Sequence, residues 1–138
     1  MNYDPGMIRS LMALTAAVAL VLAGTTAVAG ASPGPTACAY TLSPPQVVQL
    51  SGTNVVSATL TPAACDQSNP YLMVACIQLQ GGDGPAQCAE GRGTLPAQVY
   101  YQPYRPGATY ISTGRGCASK GNPPQGVCSE AGPFTATL

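Results

Sequence analysis

The spacing of six cysteines constrains this chain more than any other feature of its sequence. They are Cys38, Cys65, Cys76, Cys88, Cys117 and Cys128. The closest two are 11 residues apart and the chain has no histidine, whereas zinc sites favour close C-x2-C pairs or added histidines. The lack of a C-x-x-C pair also excludes a thiol oxidoreductase. We therefore predict three disulfides, no metal site and no cofactor.

The N-terminal residues have the pattern of a secretory signal peptide. Arg9 precedes an apolar, uncharged run at 11–23, and small residues follow, which places cleavage after Ala29 or Ala31. The run is shorter than the ~20 apolar residues that a membrane-spanning helix needs. We therefore expect a secreted, extracellular protein with no stable membrane insertion after cleavage, and association with the cell envelope stays open.

The chain divides into three segments by composition. We predict a signal peptide at 1–29, a flexible Pro/Gly/Ser linker at 30–37 and a disulfide-stabilised domain at 38–138. Translation from Met7 rather than Met1 gives a more ordinary signal sequence and leaves the exported protein unchanged.

The exported part has few charges, and they balance. Its basic and acidic residues are Arg92, Arg105, Arg115, Lys120, Asp66, Asp83, Glu90 and Glu130. Binding to nucleic acid rests on neutralising phosphates with basic residues, and binding to anionic lipid needs a polybasic cluster. This composition argues against both kinds of partner.

Apolar and polar residues alternate in several short segments. Met73, Ala75, Ile77 and Leu79 share one strand face, Leu95, Ala97, Val99 and Tyr101 share another, and alternation recurs at 56–61 and 134–138. A period of two is typical of half-buried strands. Turn residues recur about every ten positions, among them Asn69-Pro70 and Gly81-Gly82. The pattern predicts an all-β fold, an antiparallel Ig-like β-sandwich of about seven short strands.

Two features resemble known Ig-like domains. The Pro-Gly turn at 106–107 followed by Tyr110 resembles the penultimate strand of such sandwiches, in which a tyrosine bonds back to the turn. The spacing of Cys76 with Cys88 and of Cys117 with Cys128, before Gly132-Pro133 and a last strand, resembles apoproteins of the neocarzinostatin type. Those are small secreted actinobacterial proteins that carry an enediyne chromophore. The resemblance covers about residues 73–138 and implies the fold, and we do not transfer the chromophore.

Antiparallel hairpins place residues that are symmetric about a turn opposite one another. The turn signals at 51–52, 82 and 122–123 each lie midway between two cysteines. This favours the pairs Cys38–Cys65, Cys76–Cys88 and Cys117–Cys128. The spacings 27 and 11 nearly recur as 29 and 11, and an ancient duplication would favour other sets: 38–65 with 88–117 and 76–128, or 65–76 with 117–128 and 38–88. Sequence alone does not fix the connectivity, so these sets stay as alternatives.

The residue types exclude most catalytic arrangements. Without histidine there is no Ser-His-Asp or Cys-His site. Lys120 beside Ser119 lies in a Gly/Pro-rich loop and lacks the apolar surroundings that a Ser-Lys site needs. An acid pair among the four carboxylates is the remaining option, and their positions in turn segments favour solvated loop charges. We expect no catalytic residues and no enzymatic activity.

Two groups of residues are candidates for partner binding. One is Tyr100, Tyr104 and Arg105, and the other is the loop with Lys120, Asn122 and Pro123. Tyrosine and arginine are enriched at binding hot spots, and a loop closed by a disulfide is pre-organised, although core packing and a plain stapled turn are the more ordinary roles of such residues. The sequence favours a secreted, non-enzymatic binding domain for an unknown protein. The alternatives are a carrier of a small apolar ligand, a structural envelope protein and an acid-pair hydrolase.

Three disulfides predict that reduction largely unfolds the domain. A bridge that closes a loop of this size is worth ~3 kcal/mol in the chain-entropy model, against a total stability of about 5–15 kcal/mol. The expected result is loss of the near-ultraviolet circular dichroism in excess reductant, with a mass gain of about 6 Da for three opened bridges. A native spectrum in the fully reduced protein would contradict this.

Overall fold

The computed structural model describes residues 37–138, which form eight antiparallel strands and no helix. The strands are β1 (Cys38–Leu42), β2 (Gln46–Leu50), β3 (Thr53–Cys65), β4 (Ser68–Leu79), β5 (Gln87–Arg92), β6 (Ala97–Tyr101), β7 (Thr109–Lys120) and β8 (Gln125–Thr137). The predicted signal peptide and residues 30–36 of the predicted linker lie outside the described residues. Within the described part, no helix has the length and apolarity to cross a membrane.

Sheet A consists of β1, β2, β3 and β6, with the long β3 at its centre. β2 pairs with residues 53–57 of β3, β1 with residues 60–65, and β6 with residues 56–60. The segment paired with β6 overlaps both of the others. β1 and β2 therefore lie end to end along one side of β3, and β6 lies along the other.

Sheet B has the strand order β5-β4-β7-β8 and packs face to face on sheet A. The main core between the sheets includes Leu60 and Val56 from β3, Met73 and Ile77 from β4, and Tyr110 from β7. The all-β, antiparallel, two-sheet fold predicted from alternation is confirmed. Eight strands are present where about seven were predicted, and Ser43-Pro44-Pro45 separates β1 from β2.

Alternation located the inward side of β4 correctly. Met73, Ala75 and Ile77 are fully buried, and Leu79 packs against the core at the end of the strand. In β6, Ala97, Val99 and Tyr101 are buried as predicted.

Two local predictions were wrong, those for Leu95 and Asn69-Pro70, and one residue of a correctly predicted strand, Phe134, is exposed. Leu95 is 67% exposed, because β6 begins only at Ala97 and Leu95 lies in the turn that follows β5. Phe134 is 43% exposed, because β8 is an edge strand with no layer over that position. Asn69-Pro70 does not form a turn but lies inside β4, where a register shift between Pro70 and Leu72 accommodates the proline.

The packed part of the chain includes Ala37. Ala37, placed in the linker by composition, is 2% exposed and packs with Cys38 and Ala118. Its carbonyl accepts hydrogen bonds from the Asp66 backbone N–H, at 3.1 Å, and from the Ser68 hydroxyl.

The disulfides join Cys38–Cys65, Cys76–Cys88 and Cys117–Cys128. Each pair is also a directly opposed pair in the strand register. These are the pairs favoured by symmetry about the turns. The pairings suggested by a duplication do not occur.

Tyr110 bonds back to the turn that precedes β7, as the resemblance to Ig-like domains implies. The Arg105 backbone N–H donates to the Tyr110 hydroxyl at 2.8 Å, and the Tyr110 ring packs edge-on against Tyr101 at 5.5 Å between centroids. This bond fixes the middle of the β6–β7 loop to the core.

The inward side of β7 is made of small residues, which brings the two sheets close together. After Tyr110 the inward positions are Ser112, Gly114, Gly116 and Ala118. A Cβ at Gly114 would lie 2.8 Å from a methyl group of Leu60, and a Cβ at Gly116 would overlap the ring of Tyr40.

We predict that Gly116→Ala destabilises the domain, because the added methyl group must displace the Tyr40 ring. Overpacking of this kind costs typically 1–3 kcal/mol. The measurement is the free energy of unfolding in denaturant, with Gly84→Ala as the control, since a Cβ at Gly84 has no atom within 4 Å. Equal stability of the two variants would contradict the close packing of Tyr40 on β7.

Candidate binding groove

A β-bulge in β8 shapes the outward side of sheet B. Ser112 lies opposite Phe134 and Gly114 lies opposite Ala131, so two residues of β8, Gly132 and Pro133, face one residue of β7. Gly132 has a φ of +84°, and a Cβ there would lie 2.9 Å from the Ser112 carbonyl oxygen. Both facts require glycine at this position. A bulge bends its strand and increases the local twist, so β8 turns away from β7 here.

A half-open groove of about 530 Å³ lies at this bulge, on the outward side of β4, β7 and β8. We call it the β8 groove. The side chains that line it include Val74, Cys76, Thr113, Arg115, Glu130 and Pro133. Its volume falls within the ~300–1,000 Å³ of typical small-molecule sites.

Two disulfides hold the strands that form the groove. Cys76–Cys88 joins β4 to β5 and forms part of the groove wall, and Cys117–Cys128 joins β7 to β8 two residues from Arg115 and Glu130. Residues two apart in a strand point to the same side, so both bridges lie on the outward side of sheet B. The groove therefore lies on a surface where the β4–β5 and β7–β8 registers are covalently fixed.

Arg115 and Glu130 place opposite charges in an otherwise mostly apolar groove. They lie directly opposite each other on β7 and β8, and both are exposed. The ion pairs among the described residues are Arg92–Glu90 at 3.3 Å and Lys120–Asp66 at 3.4 Å. Arg115 and Glu130 therefore do not form an ion pair, and both side chains face solvent in the groove.

The first predicted binding group lies around the β6–β7 loop. Tyr100 is half-buried on β6 opposite Ser57 of β3. Tyr104 packs against the main core and borders a separate depression of about 380 Å³. Arg105 is exposed, and its backbone is bound to Tyr110.

The second predicted binding group lies at the β7–β8 turn. Lys120 ends β7 and forms the exposed ion pair with Asp66, while Asn122 and Pro123 are exposed in the turn. An exposed pair of this kind contributes ~0–1 kcal/mol. The turn is held at its base by Cys117–Cys128.

The two groups do not form one site. The first lies beside the start of β7 and the second beside its end, and a strand of 12 residues extends roughly 36 Å at about 3.3 Å per residue. Neither group lines the β8 groove. Their role in binding stays a prediction.

The four carboxylates are also spread apart. Asp66 and Asp83 flank opposite ends of β4, and Glu90 and Glu130 lie on the two outer strands of sheet B. Three strand spacings separate the backbones of Glu90 and Glu130, or roughly 14 Å at about 4.8 Å each. Glycosidases hold their two carboxyl groups within about 5–9.5 Å, so the geometry does not favour an acid pair. The described residues bring together no group of three His, Cys, Asp or Glu side chains suited to a metal ion.

Tyr40 carries the clearest electrostatic anomaly. Its ring lies over Gly116, and its hydroxyl is buried with no hydrogen-bond partner in the described structure. Burial, with a smaller contribution from neighbouring Tyr71, raises the pKa of Tyr40 above its ordinary value. The site lies on the inward side of β7, away from the β8 groove.

Sequence reasoning did not locate the β8 groove. Its one local signal was Gly132-Pro133, which indicates a break in regular pairing. Comparisons with protein-family models, curated proteins and solved structures find no match for this chain.

We predict that Tyr40→Phe leaves the stability at pH 7 unchanged or raises it, because the substitution removes a buried hydroxyl without a partner. Above pH ~10 the wild type should lose stability relative to the variant. A raised folded-state pKa means that the folded protein holds the proton more tightly, so stability is complete below the unfolded-state pKa of ~10 and falls as pH rises through the folded-state pKa.

The measurement is denaturant unfolding of both proteins at neutral and at alkaline pH, with Tyr100→Phe as the control at pH 7. A clear loss of stability in Tyr40→Phe at pH 7 would show that the hydroxyl makes a favourable contact. Identical pH profiles of wild type and variant would contradict the raised pKa.

Proposed function

We propose that this protein is a secreted, non-enzymatic binding domain and that the β8 groove is its binding site. The observation that carries the proposal is the groove itself, a half-open volume on a sheet whose strands are held by two disulfides. A site that is rigid before binding loses little conformational entropy when it is occupied.

Secretion is supported by two independent features. The N-terminal sequence has the charged, apolar and small-residue order of a signal peptide. All six cysteines of the chain are paired in the structure, and stable disulfides are typical of extracellular proteins.

We further propose that the sandwich belongs to the Ig-like class. The order β5-β4-β7-β8 in one sheet, with β3 between β6 and the β1–β2 edge in the other, is compatible with that class. The Tyr110 bond to Arg105 is the corner tyrosine typical of many such domains. The fold by itself does not specify a ligand.

Within this function, the groove favours a small, largely apolar molecule as the ligand. Val74, Pro133 and the Cys76 side chain give the groove apolar walls, while Arg115 and Glu130 supply the few polar groups that orient a ligand. Binding sites for small molecules commonly combine these two elements. The protein is thus proposed to act as a carrier rather than to transform its ligand.

The first test is the native mass of the protein purified from its own secretion medium. A non-covalent mass that disappears on denaturation is expected, and it would identify the ligand. A second test uses the neutral apolar fluorophore N-phenyl-1-naphthylamine as a probe, since it requires no knowledge of that ligand.

We predict that Thr113→Arg weakens probe binding by about tenfold or more, because a long side chain at this exposed position fills the groove. The matched control is Thr41→Arg, an exposed position on β1 in sheet A. The measurement is a fluorescence titration of the three proteins. Equal affinity in all three, or a protein that carries no native ligand and binds no probe, would overturn the proposed site.

A further inference from the structure

The outer edge of β2 has no strand beside it in the described structure. β2 pairs with β3 on one side only, and it makes no substantial contact with sheet B. Val47 and Leu50 are each 38% exposed. Alternate residues of such an edge direct their N–H and C=O groups outward, and these groups are matched by the backbone of another extended segment.

The other sheet edges are each protected against pairing. β5 carries Glu90 and Arg92, and β8 carries Glu130 and the bulge at 132–133. β1 has a register shift between Ala39 and Tyr40 and packs against β7 and β8, while β6 packs alongside β5. Charges, bulges and coverage are the usual devices that prevent edge-to-edge association. β2 (Gln-Val-Val-Gln-Leu) contains no charge, no proline and no bulge, and no strand among residues 37–138 covers its outer edge.

The absence of charged residues from sheet A indicates which kind of strand could pair with the outer edge of β2. No charged residue occurs at 37–65 or at 93–104, so sheet A has none, and all eight charges of the described chain lie outside it. A charged segment would find no countercharge on this edge, whereas an uncharged β-forming segment would meet no repulsion. β2 itself has that composition, and every copy of the protein supplies it.

We propose that two copies of this protein associate through β2, antiparallel and centred on Val48. About this two-fold axis Val48 faces Val48 of the second copy, Val47 faces Gln49 and Gln46 faces Leu50. Closed two-fold pairing through one self-complementary patch is the commonest form of homo-oligomer. It joins two copies of sheet A into one continuous sheet, and it leaves both β8 grooves open because they lie on the outward side of sheet B.

A contact made by five residues per copy is small compared with the ~1,600 Å² of a standard stable interface. The dimer should therefore be reversible, with its population set by concentration. The test is sedimentation velocity of the oxidised exported protein over a concentration series, together with hydrogen exchange of the backbone amides at 46–50. The expected results are a concentration-dependent dimer and exchange at 46–50 that slows as the dimer forms.

Val48→Lys should weaken the dimer by about tenfold or more, because it places two like charges directly opposite each other. Val48→Glu should do the same, and an equimolar mixture of the two variants should restore dimerisation, since Lys then faces Glu. Thr135→Lys, at an exposed position on β8, is the control and should dimerise like the wild type. Val47→Lys tests the same edge at a more exposed position, should either Val48 variant fold poorly.

A wild type that stays monomeric at millimolar concentration would overturn the proposal. So would a dimer that Val48→Lys and Val47→Lys leave intact, since it would then form through another surface. A mixture of the Lys and Glu variants that remains monomeric would overturn the pairing centred on Val48. None of these results depends on occupancy of the β8 groove.

Discussion

The close approach of β7 to sheet A is the constraint on which most of this structure depends. Gly114 and Gly116 have no Cβ, and the space is filled by Leu60 from β3 and the Tyr40 ring from β1. Ser112 adds a polar link between the layers, since its buried hydroxyl donates to the Ser43 carbonyl at 3.0 Å. Because β7 meets sheet A through small residues, larger side chains from sheet A fill the core between the two sheets at this point. The outward positions of β7 are then free to carry Thr113 and Arg115 in the groove.

The disulfides compensate for a modest core without occupying it. A domain of about 100 residues buries a limited fraction of its surface, and many small secreted domains add covalent bridges. Cys76–Cys88 and Cys117–Cys128 lie on the outward side of sheet B, so the inward positions of β4 remain available to Met73, Ala75 and Ile77. Each bridge restricts the unfolded chain and also fixes the register of its strand pair. The same bridges therefore contribute both to stability and to the shape of the outward surface.

The sequence predicted those features that depend on local periodicity. Alternation gave the inward residues of β4, and symmetry about turns gave the cysteine pairs, because the directly opposed residues of a hairpin are equidistant from its turn. Leu95 and Phe134 follow the same alternation, but one lies outside a strand and the other on an uncovered edge. An alternating pattern shows which residues share one side of a strand, but it does not show whether another layer covers that side.

The β8 groove was not predicted from the sequence, for a related reason. It exists because two residues of β8 face one residue of β7, and such an offset is a property of two paired strands rather than of either sequence. The binding residues expected at 100–105 and 120–123 were chosen by residue type, and they lie at opposite ends of β7. Residue type identifies groups that are able to bind, but the register determines which of them meet.

Charge is divided between the two sheets, and this division separates the two proposed surfaces. Sheet A has no charged residue, while the groove on sheet B contains Arg115 and Glu130. An uncharged edge suits backbone pairing, which needs only unpaired N–H and C=O groups. A groove with two opposite charges suits a ligand held in one orientation. The groove lies on the outward side of sheet B, whereas the pairing edge belongs to sheet A. A dimer formed through β2 would therefore carry two accessible grooves. A partner with two such ligand groups would then be bound more tightly by the pair than by either groove alone.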